Sequence, residues 1–378
     1  MQGTINQTSI EIYGQPKLWR DSYEKITNQQ NEIKAFLNKV LRHQDLQIIL
    51  TGAGTSAFIG ESLTGTFQRT MGRTTTAIPT THLVTHPAFF LQKDRPTLMV
   101  SFARSGNSPE STAAVMLANS FCKDVYHLII TCNPTGNLAN CINGDNVYLF
   151  ILPPAANDQA LAMTGSYTSM LLSGVLLARI HQLNELKSQV NNLSCFGDNI
   201  LQNQVKRLQE IAHINFKRAV FLGSGPLFGS AHESHLKLQE LTDGQVICKF
   251  DSFLGIRHGP KAVINEDTLM VYLLSNSPYV RRYEIDLIDE ISREGRALIS
   301  LGVCQKALAA YKVDQLIELS PDQTEIDEEL LAICAVLPSQ ILGYYKSVQL
   351  GLNPDQPSVS GTISRVVSGV GIYNYNEH

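Results

Sequence analysis

Apolar residues along the chain come in two textures. Over residues 16–43 they fall at Leu18, Ile26, Ile33, Phe36, Leu37, Val40 and Leu41 on a polar background, the spacing of an amphipathic helix. From residue 46 the spacing collapses into short continuous runs, "LQIILTGAG", "PTLMVSFARSG", "VYHLIITCNPTG" and "NVYLFILPP", each ending in a polar or glycine-bearing turn. Aliphatic strands alternating with helical segments predict a parallel sheet buried on both faces. A polar amphipathic segment at 181–215 interrupts this pattern, which then restarts with "RAVFLGSGPLFGSAHES" and "TLMVYLLSNSPY". The glycines of "ILTGAGTS" and "FLGSGPLF" lie 171 residues apart, and the asparagines of "SGNSP" and "LSNSP" lie 169 apart. Two tandem copies of one α/β unit explain that spacing. "ISLGVC", "QLIELS" and the helix in "TEIDEELLAICAVLPSQILGYY" complete the second copy, and a Pro/Gly/Ser-rich tail follows.

The expected organisation is an N-terminal helical segment (1–44), a first domain (45–195), a second domain (196–350) and a tail (351–378). Each domain is expected to be a three-layer αβα sandwich around a central parallel sheet. A chain of 378 residues exceeds the length at which one core usually keeps growing, so two domains fit. The formal charge of −4 and the absence of any basic run argue against a nucleic-acid partner. The longest apolar stretches are too short to span a bilayer, and the first residues have no basic or apolar leader pattern, so a cytoplasmic protein is expected. The seven cysteines are scattered, with no CxxC pair, and read as incidental thiols rather than a zinc site or a nucleophile.

In an open parallel sheet, ligands gather at the carboxyl ends of the strands, where helix N-termini present backbone N–H groups. Two loops of the first unit fall there. "TGAGTSAFIGES" supplies Gly54 for close backbone approach, with Thr55 and Ser56 as hydroxyl donors. "FARSGNSPES" supplies Ser105, Asn107 and Ser108, with Arg104 alongside. Together they suit a phosphate monoester. Each hydroxyl taken singly also reads as a helix N-cap. A dinucleotide site would need an acidic residue about 20 positions after the glycines, and "GRTTTAIPTTH" has none; nor does any nucleotide P-loop signature occur.

In the second unit, "AHESHLKLQELTDGQ" (231–245) reads as the beginning of the first helix, with Glu233, Lys237 and Glu240 on one face. The stripe reads as a solvated ion-pair surface or, given its place at a sheet edge ahead of "GIRHGP", as a catalytic face. His232 and His235 would permit a metal, but no third ligand is identifiable, so none is expected. A carboxylate and a histidine beside a phosphate site suit proton movement between adjacent sugar carbons and opening of a pyranose ring. Neither step requires a metal or an organic cofactor.

These motifs resemble the double sugar-isomerase (SIS) domain proteins, which include the isomerase half of glucosamine-6-phosphate synthase. The resemblance covers about residues 45–365. "SFARSGNSPES", "RHGPKA" and "NPDQPSVSGTISRVV" look most like the bacterial galactosamine-6-phosphate deaminase/isomerase group. The resemblance implies phosphate-binding hydroxyls at Ser56, Ser105 and Ser108. It implies a proton-moving carboxylate at Glu240, a ring-opening histidine at His258 lent across a homodimer interface, and supporting roles for Glu233 and Lys237. Two departures stand out. Arg104 precedes the Ser-Gly where relatives carry uncharged residues. Arg365 stands where the synthase has an imine-forming lysine, and a guanidinium cannot act as that nucleophile. No glutaminase domain is expected ahead of the first α/β unit. The synthetic direction is therefore disfavoured, and the resemblance implies conversion of galactosamine 6-phosphate to tagatose 6-phosphate and ammonia. Plain ketose/aldose isomerisation, a non-catalytic sugar-phosphate sensor and a purely structural role are the alternatives.

Overall fold

A computed structural model describes residues 6–367 and 369–375; parts of the expected N-terminal segment and tail lie outside them. Three helices open the chain: α1 (Gln7–Tyr13), α2 (Gln15–Asn28) and α3 (Gln30–Val40). The single helix expected at 16–43 is thus two, broken at Gln29 (φ −104°, ψ 6°) and preceded by a third. Asp355 from the tail caps α1, accepting from the N–H groups of Gln7 at 2.9 Å and Thr8 at 2.7 Å.

The first α/β unit runs β1 (Gln47–Thr51), α4 (Thr55–Met71), β2 (Thr74–Ala77), α5 (Thr80–Thr85), α6 (Pro87–Phe90), β3 (Thr97–Ala103), α7 (Pro109–Phe121), β4 (Val125–Thr131), α8 (Asn137–Asn140) and β5 (Val147–Ile151). Then come α9 (Gly165–Ala178), α10 (Leu183–Asn203) and α11 (Val205–Ala212). The expected boundary at 195/196 therefore falls inside α10. The second unit runs β6 (Arg218–Leu222), α12 (Pro226–Leu241), β7 (Ile247–Asp251), β8 (Thr268–Leu273), α13 (Pro278–Glu294), β9 (Ile299–Cys304), β10 (Gln315–Glu318), α14 (Glu328–Ala335) and α15 (Leu337–Gln349).

Both sheets are five-stranded and parallel. Their orders, β2-β1-β3-β4-β5 and β10-β9-β8-β6-β7, are the same order in each half, as a duplication requires. The backbone repeats too: Gly54 before α4 has φ 54°, ψ −130°, and Gly225 before α12 has φ 56°, ψ −128°. Only glycine adopts that conformation without strain. Every residue of β1, β3 and β8 is buried, which is why these strands read as unbroken apolar runs. One apolar core reaches from Trp19 through the inner faces of both sheets to Leu342, and each sheet has a smaller cluster on its outer face.

Helices α4 and α12 cross within this shared core. Gly229 makes the crossing close, since a Cβ there would lie 2.3 Å from Ser62 Oγ and 2.5 Å from the Phe58 carbonyl oxygen. The helix read as starting near residue 231 in fact begins at Pro226, which suits a first helical turn. Glu233, Lys237 and Glu240 consequently lie in its middle and last turns and reach the first domain.

Candidate active site

The chain order turns back between β1 and β3, and the loops after these two strands face each other across that switch point. A cavity of about 420 Å³ opens there, within the range of roughly 300–1,000 Å³ usual for small-molecule sites. Gly54, Thr55 and Ser56 line it from the first loop, and Arg104, Ser105, Gly106 and Ser108 from the second. Lys237 and Glu240 enter from α12, and the tail contributes residues 361–365 and Val367. Seven of the eight residues read as substrate-binding, all but Asn107, therefore share one cavity with two of the catalytic four.

Local geometry explains the cradle. A Cβ at Gly52 would lie 2.6 Å from the Ser56 backbone, so glycine lets the strand turn sharply into α4. Gly106 (φ 65°) bends the second loop, and Asn133 Nδ2 donates to the Ser105 carbonyl at 3.0 Å to hold it. Ser108 occupies the N-cap position of α7, yet its hydroxyl caps no backbone N–H. The N-cap explanation thus fails for Ser108, whose hydroxyl lines the cavity instead. Asn107 is not part of the lining. It is exposed, and its Oδ1 accepts from the Asn137 N–H at 3.0 Å.

On the opposite wall, Lys237 is 1% exposed and donates to Glu240 Oε2 at 2.5 Å, while Glu233 Oε1 lies 3.4 Å from the same ammonium. This buried triad is not a solvated stripe. Burial pushes the Glu233 carboxyl up to about 8, against the pull of Lys237 and with the repulsion of Glu240 behind it. Burial alone would lower the Lys237 ammonium, but the Glu233 and Glu240 carboxylates outweigh it and raise it. Lys237 thus lies between Glu233, whose protonated form burial favours, and the cavity-facing Glu240 to which it donates. A cavity-facing carboxylate with a fixed cationic partner can move a proton between carbons of a bound substrate.

His258 lies outside this cavity. It is exposed on a turn between Ile256 and Gly259 (φ 111°), and Ile256 is buried in the outer core of the second sheet. Ion pairs from Arg257 to Glu290, and from Lys261 to Glu290 and Glu294, bracket the turn against α13. The imidazole is thereby presented outward on a fixed loop. His232 is stacked between Phe58 and Phe250 with Nδ1 2.8 Å from Glu61 Oε2, and no cluster of three metal-ligating side chains occurs among the described residues.

The second unit carries the equivalent loops, but they are closed by its own side chains. Glu284 accepts from the Ser275 N–H at 3.1 Å, Glu328 accepts from the Ser275 hydroxyl, and Asn276 Nδ2 donates to the Ile326 carbonyl at 2.8 Å. A larger cavity of about 890 Å³ lies beside them, where Arg69 pairs with Glu329 and Arg179 pairs with Asp327 and Glu329. By the repeat spacing of 171, Arg69 occupies the place of Glu240, Thr66 that of Lys237 and Ser62 that of Glu233. The Glu–Lys–Glu triad is thus present in one copy alone, which makes the smaller cavity the candidate site.

Sequence reasoning missed the loop carrying Leu161 and Met163, which closes the cavity from the side. It also missed how deeply Arg104 is engaged, with Nη1 donating to the carbonyls of Ala160 at 3.1 Å and Leu161 at 3.0 Å, and Nη2 to the carbonyl of Arg365 at 2.6 Å.

Comparison with known proteins decides the family. The SIS domain model matches residues 40–180. The D-galactosamine-6-phosphate deaminase AgaS of Shewanella sp. ANA-3 is 40% identical over 97% of this chain and 92% of its own length. Its Escherichia coli namesake is 38% identical over 97% and 95%. The chain belongs to the SIS-domain family. Within that family, the crystal structure of tagatose-6-phosphate ketose/aldose isomerase from Escherichia coli superposes with a TM-score of 0.90 at 37% identity, covering 98% of this chain and 97% of that one. Two tandem SIS-type α/β domains, the architecture expected from the repeat, are what the structure contains.

The buried titratable groups of this SIS protein set a pH dependence. Burial raises Glu11 to about 7 and Glu284, like Glu233, to about 8, from an ordinary value of 4.5. The folded chain keeps these protons where the unfolded chain has lost them, so their contribution is complete below pH 4.5 and is lost as pH rises through 7 to 8. Burial lowers His127 and His235 to about 4 from 6.5, so stability gains as pH rises across that interval. Three carboxyls outweigh two histidines above pH 4.5, so the thermal unfolding temperature followed against pH should be highest at about pH 5 and decline through pH 8, most steeply above about pH 6.5 where the histidines no longer offset the carboxyls. Glu233→Gln and Glu284→Gln should flatten the decline; a profile still rising at pH 9 would contradict these assignments.

Proposed function

We propose that this protein is a deaminating isomerase acting on galactosamine 6-phosphate. The observation that carries the reading is the shared cavity: a hydroxyl and amide cradle on one side and the Lys237–Glu240 pair on the other, at full-length similarity to proteins named for that deaminase. The phosphate sits against Gly54, Thr55, Ser56, Ser105 and Ser108, where N–H groups at the start of α4 and the hydroxyls neutralise it. His258, supplied by the partner subunit of a homodimer, opens the pyranose ring. Glu240 removes the proton from carbon 2 of the open-chain aldose and returns it to carbon 1, giving a carbon-1 alcohol and a carbon-2 imine. In that shift the carbon-1 oxygen gains a proton and the nitrogen loses one; water then adds to carbon 2, and the resulting carbinolamine breaks its carbon–nitrogen bond to release ammonia and tagatose 6-phosphate.

Lys237 keeps Glu240 aimed into the cavity, and burial, which favours the protonated form of Glu233, lessens the cost of a second buried anion beside Lys237. The exposed but braced position of His258 supports a dimer in which each site borrows it. The lack, among the described residues, of any helix long and apolar enough to cross a membrane supports a cytoplasmic enzyme. Ketose/aldose isomerisation without loss of nitrogen is a second reading, favoured by the name of the structural relative. Incubation with galactosamine, glucosamine and tagatose 6-phosphates, followed for ammonia and ketose together, tests both. The deaminase reading requires ammonia from galactosamine 6-phosphate, and ketose/aldose exchange with no ammonia would replace it by the second.

A further inference from the structure

We propose that Arg104 is a positioning residue that straps the C-terminal tail over the site, and that it does not itself grip the phosphate; the kinetic part of this rests on the function proposed above. Three observations converge. First, Arg104 is 6% exposed, and its fork is spread over three backbone carbonyls, those of Ala160, Leu161 and Arg365, which belong to two segments distant in sequence. Second, Arg365 answers in the other direction. Its Nε and Nη2 donate to the Asp158 carbonyl at 2.9 and 2.5 Å, and Nη2 to Asn157 Oδ1 at 2.9 Å. The two arginines form a clasp between the tail and the loop at 157–161. The Asp158 carboxylate supplies the counter-charge, itself held by the N–H and hydroxyl groups of Thr164 and Ser166.

Third, among the described residues the stretch is held outside the tail at its start, where the Val359 N–H donates to Asp243 Oδ2 at 3.1 Å, and the hydrogen bonds of residues 360–364 stay within the tail. Residues 359–364 are exposed and carry no regular secondary structure, yet 361–364 line one side of the cavity, while Pro357 and Ser358 before them are buried. The next fixed point along the tail is Arg365. Because Arg104 directly precedes the cradle residue Ser105, and the cradle is independently fixed by Asn133, the clasp ties the movable wall to the rigid one. A lysine at 104 has a single ammonium and cannot span both segments.

The clasp protects one particular bond. Arg365–Val366 is a trypsin site whose side chain and carbonyl are both engaged, so cleavage requires the clasp to open. In the full-length protein, trypsin should cut there at least about tenfold faster in Arg104→Met, and faster also in Arg104→Lys, with the domains otherwise uncut and the melting temperature little changed. Inorganic phosphate should still bind both variants. With galactosamine 6-phosphate, KM should rise about tenfold while kcat changes less, and the double variant Arg104→Met/Arg365→Gln should be no worse than the poorer single variant. Unchanged cleavage at Arg365–Val366 in both variants would overturn the clasp, and it can be read even if the proposed substrate is wrong. Loss of inorganic phosphate binding in Arg104→Lys, or kinetic effects that add fully in the double variant, would make Arg104 a direct phosphate ligand and overturn the positioning role.

Discussion

Glu240→Gln should lose turnover of galactosamine 6-phosphate by about 10²–10⁴-fold or more, the range that a positioned general base contributes. The amide is nearly isosteric and still accepts a hydrogen bond from Lys237, which now sits 2.5 Å from the carboxylate oxygen. The change removes basicity and leaves the cavity shape intact. Affinity for inorganic phosphate, which depends on the cradle across the cavity, should therefore be preserved, and isothermal titration beside a steady-state assay reads the two effects separately. A fully active Glu240→Gln enzyme would remove Glu240 from its role. Lost phosphate binding would mean that the two walls are not independent.

The second large effect concerns His258. His258→Asn should itself abolish ring opening, and equal amounts of His258→Asn and Glu240→Gln chains, unfolded and refolded together, should recover activity. In a two-fold dimer that shares His258, each hybrid carries one site with Glu240 from one chain and the partner's His258, so about a quarter of wild-type activity is expected after random pairing. The structure makes this expectation specific: the histidine is exposed on a turn pinned by Arg257 and Lys261 to α13, outside the cavity that holds Glu240. A mixture as inactive as its components would place the histidine's work within one chain, or deny it any.

Much of this was readable in the amino-acid order because the signals are local. Unbroken apolar runs such as "TLMV" report strands buried on both faces, and Gly54 and Gly225 report a backbone turn that only glycine makes easily. The i, i+4, i+7 spacing put Glu233, Lys237 and Glu240 on one face before any contact was known. What stayed hidden depends on distant partners. Asn107 has the chemistry of a cradle residue but is used by the Asn137 N–H, a contact between loops 30 residues apart. Arg104 looked like a phosphate ligand because its charge is visible in sequence, whereas the carbonyls that occupy it belong to residues 160, 161 and 365 and carry no side-chain signature. The burial that turns a helix stripe into a buried triad likewise comes from the crossing of α4 and α12, set by Gly229. The silence of the second cradle is a matter of Glu284 and Glu328, which nothing in the repeat spacing reveals.

The central claim is that a proton leaves carbon 2 through Glu240 and nitrogen is lost as a consequence. Galactosamine 6-phosphate deuterated at carbon 2, converted by the pure enzyme and read by NMR with a parallel ammonia assay, tests it most directly. The account predicts one ammonia per ketose formed, with deuterium gone from carbon 2 and recovered at carbon 1 or in solvent. A ketose formed without ammonia, or an aldose product that keeps its deuterium on carbon 2, would contradict it.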